Sequence, residues 1–167
     1  EAAAMNAAGR VDAAVLVPLF GWPDQPGLIF TERRADLRRH AGEISFPGGR
    51  TDPGESRLQT SLREAHEEIG LDPEAVEVVG ALPPIGTFVT NYTVYPIVGL
   101  VDYPRGLGLE ANPDEVETVL AFDVDRLREG FAMRRLVRRG VPLRKPTYLV
   151  DAHLIWGATA RILGELL

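Results

Sequence analysis

The chain contains no cysteine. That excludes a disulfide framework, a thiol nucleophile and any Cys-based zinc site, and it fits a reducing cytoplasm. It has no run of about eighteen apolar residues, no basic-then-apolar leader and no internal repeat, so a membrane span, a secretory signal and a solenoid are not expected. Positive charge is also short: 18 Lys and Arg against 24 Asp and Glu give −6. This argues against broad nucleic-acid or anionic-membrane binding, and an anionic substrate would need metal ions to mask charge. The serine, lysine or histidine constellations of covalent hydrolases do not stand out. The first residue is Glu1 rather than methionine, which leaves open what precedes it.

What is present is ordinary for one globular domain: 45% hydrophobic and 25% charged residues over 167 positions, enough for a sizeable core. Residues 1–10 are alanine-rich without an amphipathic stripe and read as a flexible tail, leaving 11–167 as a single domain.

The informative stretch is 46–71. Ser56 with Gln59 has the form of a capping box, and Gly70, Leu71 and Pro73 supply stop signals, so a helix is predicted over 57–69. Helical spacing puts Leu58, Leu62, Ala65 and Ile69 on the buried stripe, with Glu64, Glu67 and Glu68 together on one flank. Three like charges at those spacings repel. Arg63 can pair with Glu67 or reach back to Glu55, offsetting part of the repulsion. A hard divalent cation such as Mg²⁺ would offset the rest. A solvated acidic face would also account for the glutamates alone. The preceding loop favours the cation. Phe46-Pro-Gly-Gly49 allows close backbone approach of Gly48 and Gly49 to an ion or a phosphate, and Asp52-Pro-Gly54 turns Glu55 back toward the helix.

Gly49, five residues, Glu55, seven residues, then Arg63-Glu-Ala-His-Glu-Glu-Ile-Gly-Leu71 resembles the Nudix box, Gly-x5-Glu-x7-Arg-Glu-U-x-Glu-Glu-x-Gly-U with U apolar, at every fixed position. The segment before it is similar to the one that marks the coenzyme A pyrophosphatase branch of that family. Thr31, Arg33, Leu37, His40, Gly42 and Phe46 to Gly49 stand where the pattern has them; Arg34 replaces a small residue, and Ile29-Phe30 varies the apolar pair.

Elsewhere, Val11–Phe20 reads as a central strand buried on both faces, 21–27 as a turn with Trp22 packed at it, and 28–33 as a second strand. Arg33, Arg34, Arg38 and Arg39, followed by His40, form either a solvated loop or, because they lead into the glycine loop, a set of substrate-phosphate contacts. Strands are predicted at 76–82, 94–101 and 116–122, with a polar loop at 85–92 and a mobile glycine-rich stretch at 104–112. The turn Asn112-Pro-Asp-Glu115 resembles the acidic turn before a late strand of this branch, making Glu115 a further metal or base carboxylate with Glu117 in reserve; a surface pair to an arginine is the alternative. A short helix at 123–127, a hairpin at 131–150 and a terminal helix at 155–167, with Ile155, Ala158, Ile162 and Leu166 on its packed side, complete the chain. Arg134, Arg135, Arg138 and Arg139 near the hairpin tip read as a solvated face or a contact with a partner subunit, as in a homodimer.

The order of elements points to a mixed sheet between helices, an α/β (α+β) fold, and the resemblance implies the Nudix α/β/α sandwich. It further implies hydrolysis of a diphosphate linkage with Mg²⁺ or Mn²⁺ as cofactor. Glu64, Glu67 and Glu68, with a carbonyl of Gly48 or Gly49, are the implied metal ligands, and Glu64 or Glu115 the base. Glu55 and Arg63 hold loop to helix. The implied small-molecule substrate is coenzyme A or acyl-coenzyme A. The alternatives are ADP-ribose, an ADP-sugar or a dinucleoside polyphosphate, or a non-hydrolysing nucleotide-binding regulatory module.

Overall fold

The computed structural model describes residues 11–38, 42–87, 90–103 and 108–167. Arg39, His40 and the predicted tail at 1–10 lie outside the described residues, as do positions 104–107 of the glycine-rich stretch.

The organising strand is β1 (Val11–Phe20), which coincides with its predicted bounds. It alternates strictly. Ala13, Val15, Val17 and Leu19 join one core, while Leu16 and Phe20 join another on the opposite face, so the sheet is covered on both sides. Around it lie β2 (Gly27–Arg33), β3 (Ile44–Ser45), β4 (Gly48–Arg50), β5 (Glu77–Ala81), β6 (Ile85–Thr87), β7 (Tyr92–Leu100) and β8 (Val116–Asp123). The path through this sheet is β3-β2-β1-β7-β5, with β4 on β1, β6 on β7 and β8 on β2. The β1–β7 pair is parallel and the others are antiparallel, a mixed sheet as expected. A polar loop had been expected at 85–92; Ile85 and Gly86 are instead buried in β6.

Helix α1 (Arg57–Ile69) covers one face, through a core of Leu16, Ile29, Ala65, Ile69, Leu71 and Val101. The other face packs on α2 (Val124–Glu129) and α3 (Gly157–Leu166), with Phe30 stacked on Phe46 at 4.7 Å at its centre. The predicted hairpin is β9 (Phe131–Arg138) and β10 (Val141–Val150), and a short β11 (His153–Ile155) extends it into a second, three-stranded sheet. That last strand was not foreseen: it occupies the start of what periodicity assigned to the terminal helix. α3 buries Thr159, Ala160, Ile162 and Leu163; of the predicted side, Ile155 is buried in β11, Ile162 is buried in the helix, Leu166 packs partly buried on the core, and Ala158 is only half-buried. Trp22, expected to pack at its turn, is 63% exposed. No helix among the described residues is long and apolar enough to cross a membrane.

Candidate active site

The site is built where β4 passes under α1. The helix begins and ends as its local signals dictate. Ser56 accepts from the Gln59 N–H at 3.1 Å while Gln59 accepts from the Ser56 N–H at 2.8 Å, and Gly70 closes the helix at φ 67° with its N–H on His66 O. Arg57 lies 3.5 Å over the Tyr95 ring, fastening the first turn to β7.

The buried face keeps Ala65 and Ile69 of the predicted stripe, with Leu62 packed beside them, and departs from it at Leu58. Thr60, Ser61, Ala65, Glu68 and Ile69 are buried, and Leu58 is exposed. Small Ser61 and Ala65 one turn apart let the helix sit close on the sheet, which rotates its polar flank inward. Glu68 is thereby 5% exposed instead of solvated.

Glycine makes the close approach possible. A Cβ on Gly49 would lie 2.4 Å from Glu64 Oε1, and one on Gly48 would lie 2.4 Å from Ala14 O, so the carboxylate meets bare backbone. Glu68 faces the Gly48 N–H and Arg33, both of which favour its charge. Burial first, then the like charges of Glu64 and Glu115, outweigh them and push its pKa up to about 8. Burial raises the Glu64 carboxyl too, against the pull of Arg63.

Arg63 is the hub of the neighbouring network. It donates to Glu55 through Nε at 2.7 Å and through its second terminal nitrogen at 3.1 Å, to Glu64 at 3.0 Å, to Glu67 at 3.2 Å and to Arg50 O at 3.2 Å. Glu55 is held down to about 2, chiefly by these arginine bonds, with Thr60 Oγ1 donating to it at 2.7 Å. Arg63 and Glu55 thus tie loop to helix. Fully buried Thr60 was not singled out from sequence, where a threonine inside a helix carries no signal. This pair borders a shallow depression of ≈ 590 Å³, lined by Asp52, Gln59, Leu62 and Pro73, that contains neither Glu64 nor Glu68.

The predicted residues therefore divide. Glu64, Glu68, Gly48 and Gly49 converge, and Glu115 contributes its charge from the turn before β8. Glu67 stands apart, 52% exposed and paired to Arg63. Among the described residues no three carboxylate or imidazole groups come close enough to hold an ion by themselves. Arg33 is partly buried beside Glu68, with its Nε lacking a hydrogen-bond partner among the described residues; Arg38 is exposed. Each nitrogen of the Arg34 guanidinium is engaged within the protein. Its Nε and one terminal nitrogen bind Asp36, and the other donates to Pro113 O at 2.9 Å. Among the described residues the donor chemistry fits a hard dication: oxygen ligands, one carboxylate buried with too little positive charge around it, and glycine backbone alongside.

A mixed sheet between helices thus sets buried Glu68 and partly buried Glu64 against a glycine turn, an arrangement suited to holding a cation against a phosphoanhydride. The family described as NUDIX domain matches residues 10–140, and the chain belongs to the Nudix family. It is a pyrophosphohydrolase acting on the diphosphate of a small nucleotide-type molecule, and enzymes of this family generally use divalent metal ions. Its relatives include the protein named uncharacterized Nudix hydrolase NudL from Klebsiella pneumoniae (strain 342), 42% identical over 96% of this chain and 83% of that one. Its namesake from Escherichia coli (strain K12) is 41% identical over 92% and 80%. Among solved structures, the Mycobacterium smegmatis (M. Smegmatis) Nudix hydrolase RenU superposes with a TM-score of 0.59 at 22% identity, over 72% of this chain and 75% of that one. A C. elegans Ap4A hydrolase gives 0.56 at 18%, over 68% and 80%. At such identities these two establish the fold.

Proposed function

We propose that the chain hydrolyses coenzyme A or acyl-coenzyme A, with Mg²⁺ or Mn²⁺, to 3′,5′-ADP and 4′-phosphopantetheine or its acyl form. The observation that carries the site reading is buried Glu68 beside Glu64 and the Gly48–Gly49 backbone, with charge left for a cation to neutralise. The substrate reading is supported by Thr31, Arg33, Leu37, Gly42 and Phe46 to Gly49, which keep the branch pattern.

Glu64 and Glu68, with a Gly48 or Gly49 carbonyl, would hold the metal, which supplies charge neutralisation for the diphosphate and acidifies a bound water. Glu67 would join them only by leaving Arg63. Arg63 and Glu55 keep the helix registered on the loop. Glu64 or Glu115 accepts the proton as the water oxygen bonds to phosphorus. The bridging P–O bond breaks, and the leaving phosphate carries away its electron pair. Arg33, beside Glu68 and with its Nε unpartnered among the described residues, meets substrate phosphate.

Turnover of coenzyme A against ADP-ribose, with products identified by mass spectrometry, tests the substrate. Cleavage of coenzyme A is expected; cleavage of ADP-ribose alone removes the branch assignment. Glu68→Gln is expected to cut kcat by about 10²- to 10³-fold, and unchanged metal-dependent hydrolysis in that variant overturns the ligand set.

A further inference from the structure

The turn that carries Glu115 is fastened at two ends. On one side the Asn112 N–H donates to Glu68 O at 2.8 Å, hanging the turn on the last turn of α1. On the other, Arg34 reaches it from the end of β2. The Arg34 N–H donates to Glu115 O at 3.2 Å, and its guanidinium donates to Pro113 O at 2.9 Å. Asp36 fixes the guanidinium plane from behind by taking two of its nitrogens, one to each carboxylate oxygen. The β2–β8 register shifts between Glu32 and Arg33, beside the Arg33↔Val116 pair, so backbone pairing alone holds this corner loosely.

We propose that Arg34 is a positioning residue for Glu115: clamped by Asp36, it pins the Pro113 carbonyl and so sets where the Glu115 carboxylate stands beside Glu68. The proposal rests on the reading of Glu115 as a site carboxylate. It also reassigns Arg34, which the sequence placed among the substrate-phosphate contacts. At this position the branch pattern has a small residue, so the clamp belongs to this chain's own sequence. Its contribution is local. The Arg34 and Asp36 side chains are 35% and 61% exposed, and ion pairs that open to water add little to global stability. Loss of the clamp therefore leaves a folded protein with a misplaced carboxylate, and misplacement by about 1 Å can cost on the order of 10²-fold in rate.

The experiment compares Arg34→Ala, Arg34→Lys, Asp36→Asn and Glu115→Gln in the full chain. Arg34→Ala is expected to lower kcat by about 10- to 100-fold with KM unchanged, and to speed hydrogen exchange at the Glu115 and Val116 amides, which donate to Asn112 O. Lysine cannot grip Asp36 and Pro113 O as a planar fork and restores little. Asp36→Asn should act in the same direction. In a Glu115→Gln background the Arg34→Ala effect should shrink to about twofold or less. A rise in KM with kcat intact makes Arg34 a substrate contact and overturns the proposal, as does a fall in KM on releasing it by Asp36→Asn. Unchanged kinetics in both also overturn it. Full activity in Glu115→Gln instead removes Glu115 from the site, while exchange at its amide still reports whether the clamp holds the turn.

Discussion

Glu68 and Glu55 show how one short stretch sets two carboxylates to opposite tasks. Glu55 receives N–H and O–H donors from Arg63 and Thr60 and stays ionised at any ordinary pH. Glu68 is buried among like charges and is pushed up to about 8 from an ordinary 4.5. The sign of its effect on stability follows from proton counts. Between those two values the folded, metal-free protein holds a proton that the unfolded chain has released, so stability falls as pH rises and the loss is complete above about 8. Glu68→Gln removes the ionisation and keeps the shape. In EDTA, the variant and the parent should melt together near pH 4.5, and the variant should melt higher by several degrees at pH 8.5, at about 2–4 °C per kcal/mol for a chain of this size. Thermal melts across that range check it; a constant gap would mean that Glu68 carries no uncompensated charge.

At the scale of elements, the two glycines of the loop serve different partners. A methyl group at Gly49 meets the end of the Glu64 side chain, whereas one at Gly48 meets Ala14 O and Val15 Cα, backbone of β1 that cannot yield. Gly49→Ala should therefore abolish most turnover with little change in melting temperature. Gly48→Ala should destabilise by about 1–3 kcal/mol as an overpacked contact does. Parallel melting and turnover measurements on the pair check this, and an equal stability loss in both would assign Gly49 to packing alone. The bounds of α1 were legible because caps are local chemistry, read within a few residues. Its buried face was legible at Leu62, Ala65 and Ile69 but not in full, because Leu58 is apolar but has no layer above it, while Ser61 and Glu68 lie where the sheet and loop happen to be. The same holds for the arginines at 33 and 34. Adjacent in sequence, they diverge because a strand end turns one toward Glu68 and the other toward Pro113. Box residues were legible as a set through their spacing, and Glu115 through the acidic turn that carries it; that Glu67 is drawn outward to Arg63 is a tertiary fact.

For the whole molecule, charge is partitioned. The β9–β10 hairpin carries Arg134, Arg135, Arg138, Arg139, Arg144 and Lys145 without an acidic residue, so removing those six from the overall −6 leaves −12 on the rest of the chain. A diphosphate must then approach an acidic body whose innermost carboxylate is already short of positive partners. Bound dications would relieve both repulsions together, and what binds only the folded state stabilises it by mass action, by about 2.7 kcal/mol at a hundred times Kd. Mg²⁺ at such a concentration should accordingly raise the melting temperature by roughly 5–10 °C. Na⁺ at matched ionic strength should do far less, since general screening acts mainly on exposed charges and hardly on buried Glu68. Glu68→Gln should lose most of the Mg²⁺ shift while keeping the Na⁺ response, because the variant changes the site and leaves the outer charge alone. Differential scanning calorimetry of both proteins in the two salts checks this. An equal Mg²⁺ shift in parent and variant would place the ion elsewhere on the acidic surface, and the electrostatic case for the site would fail with it.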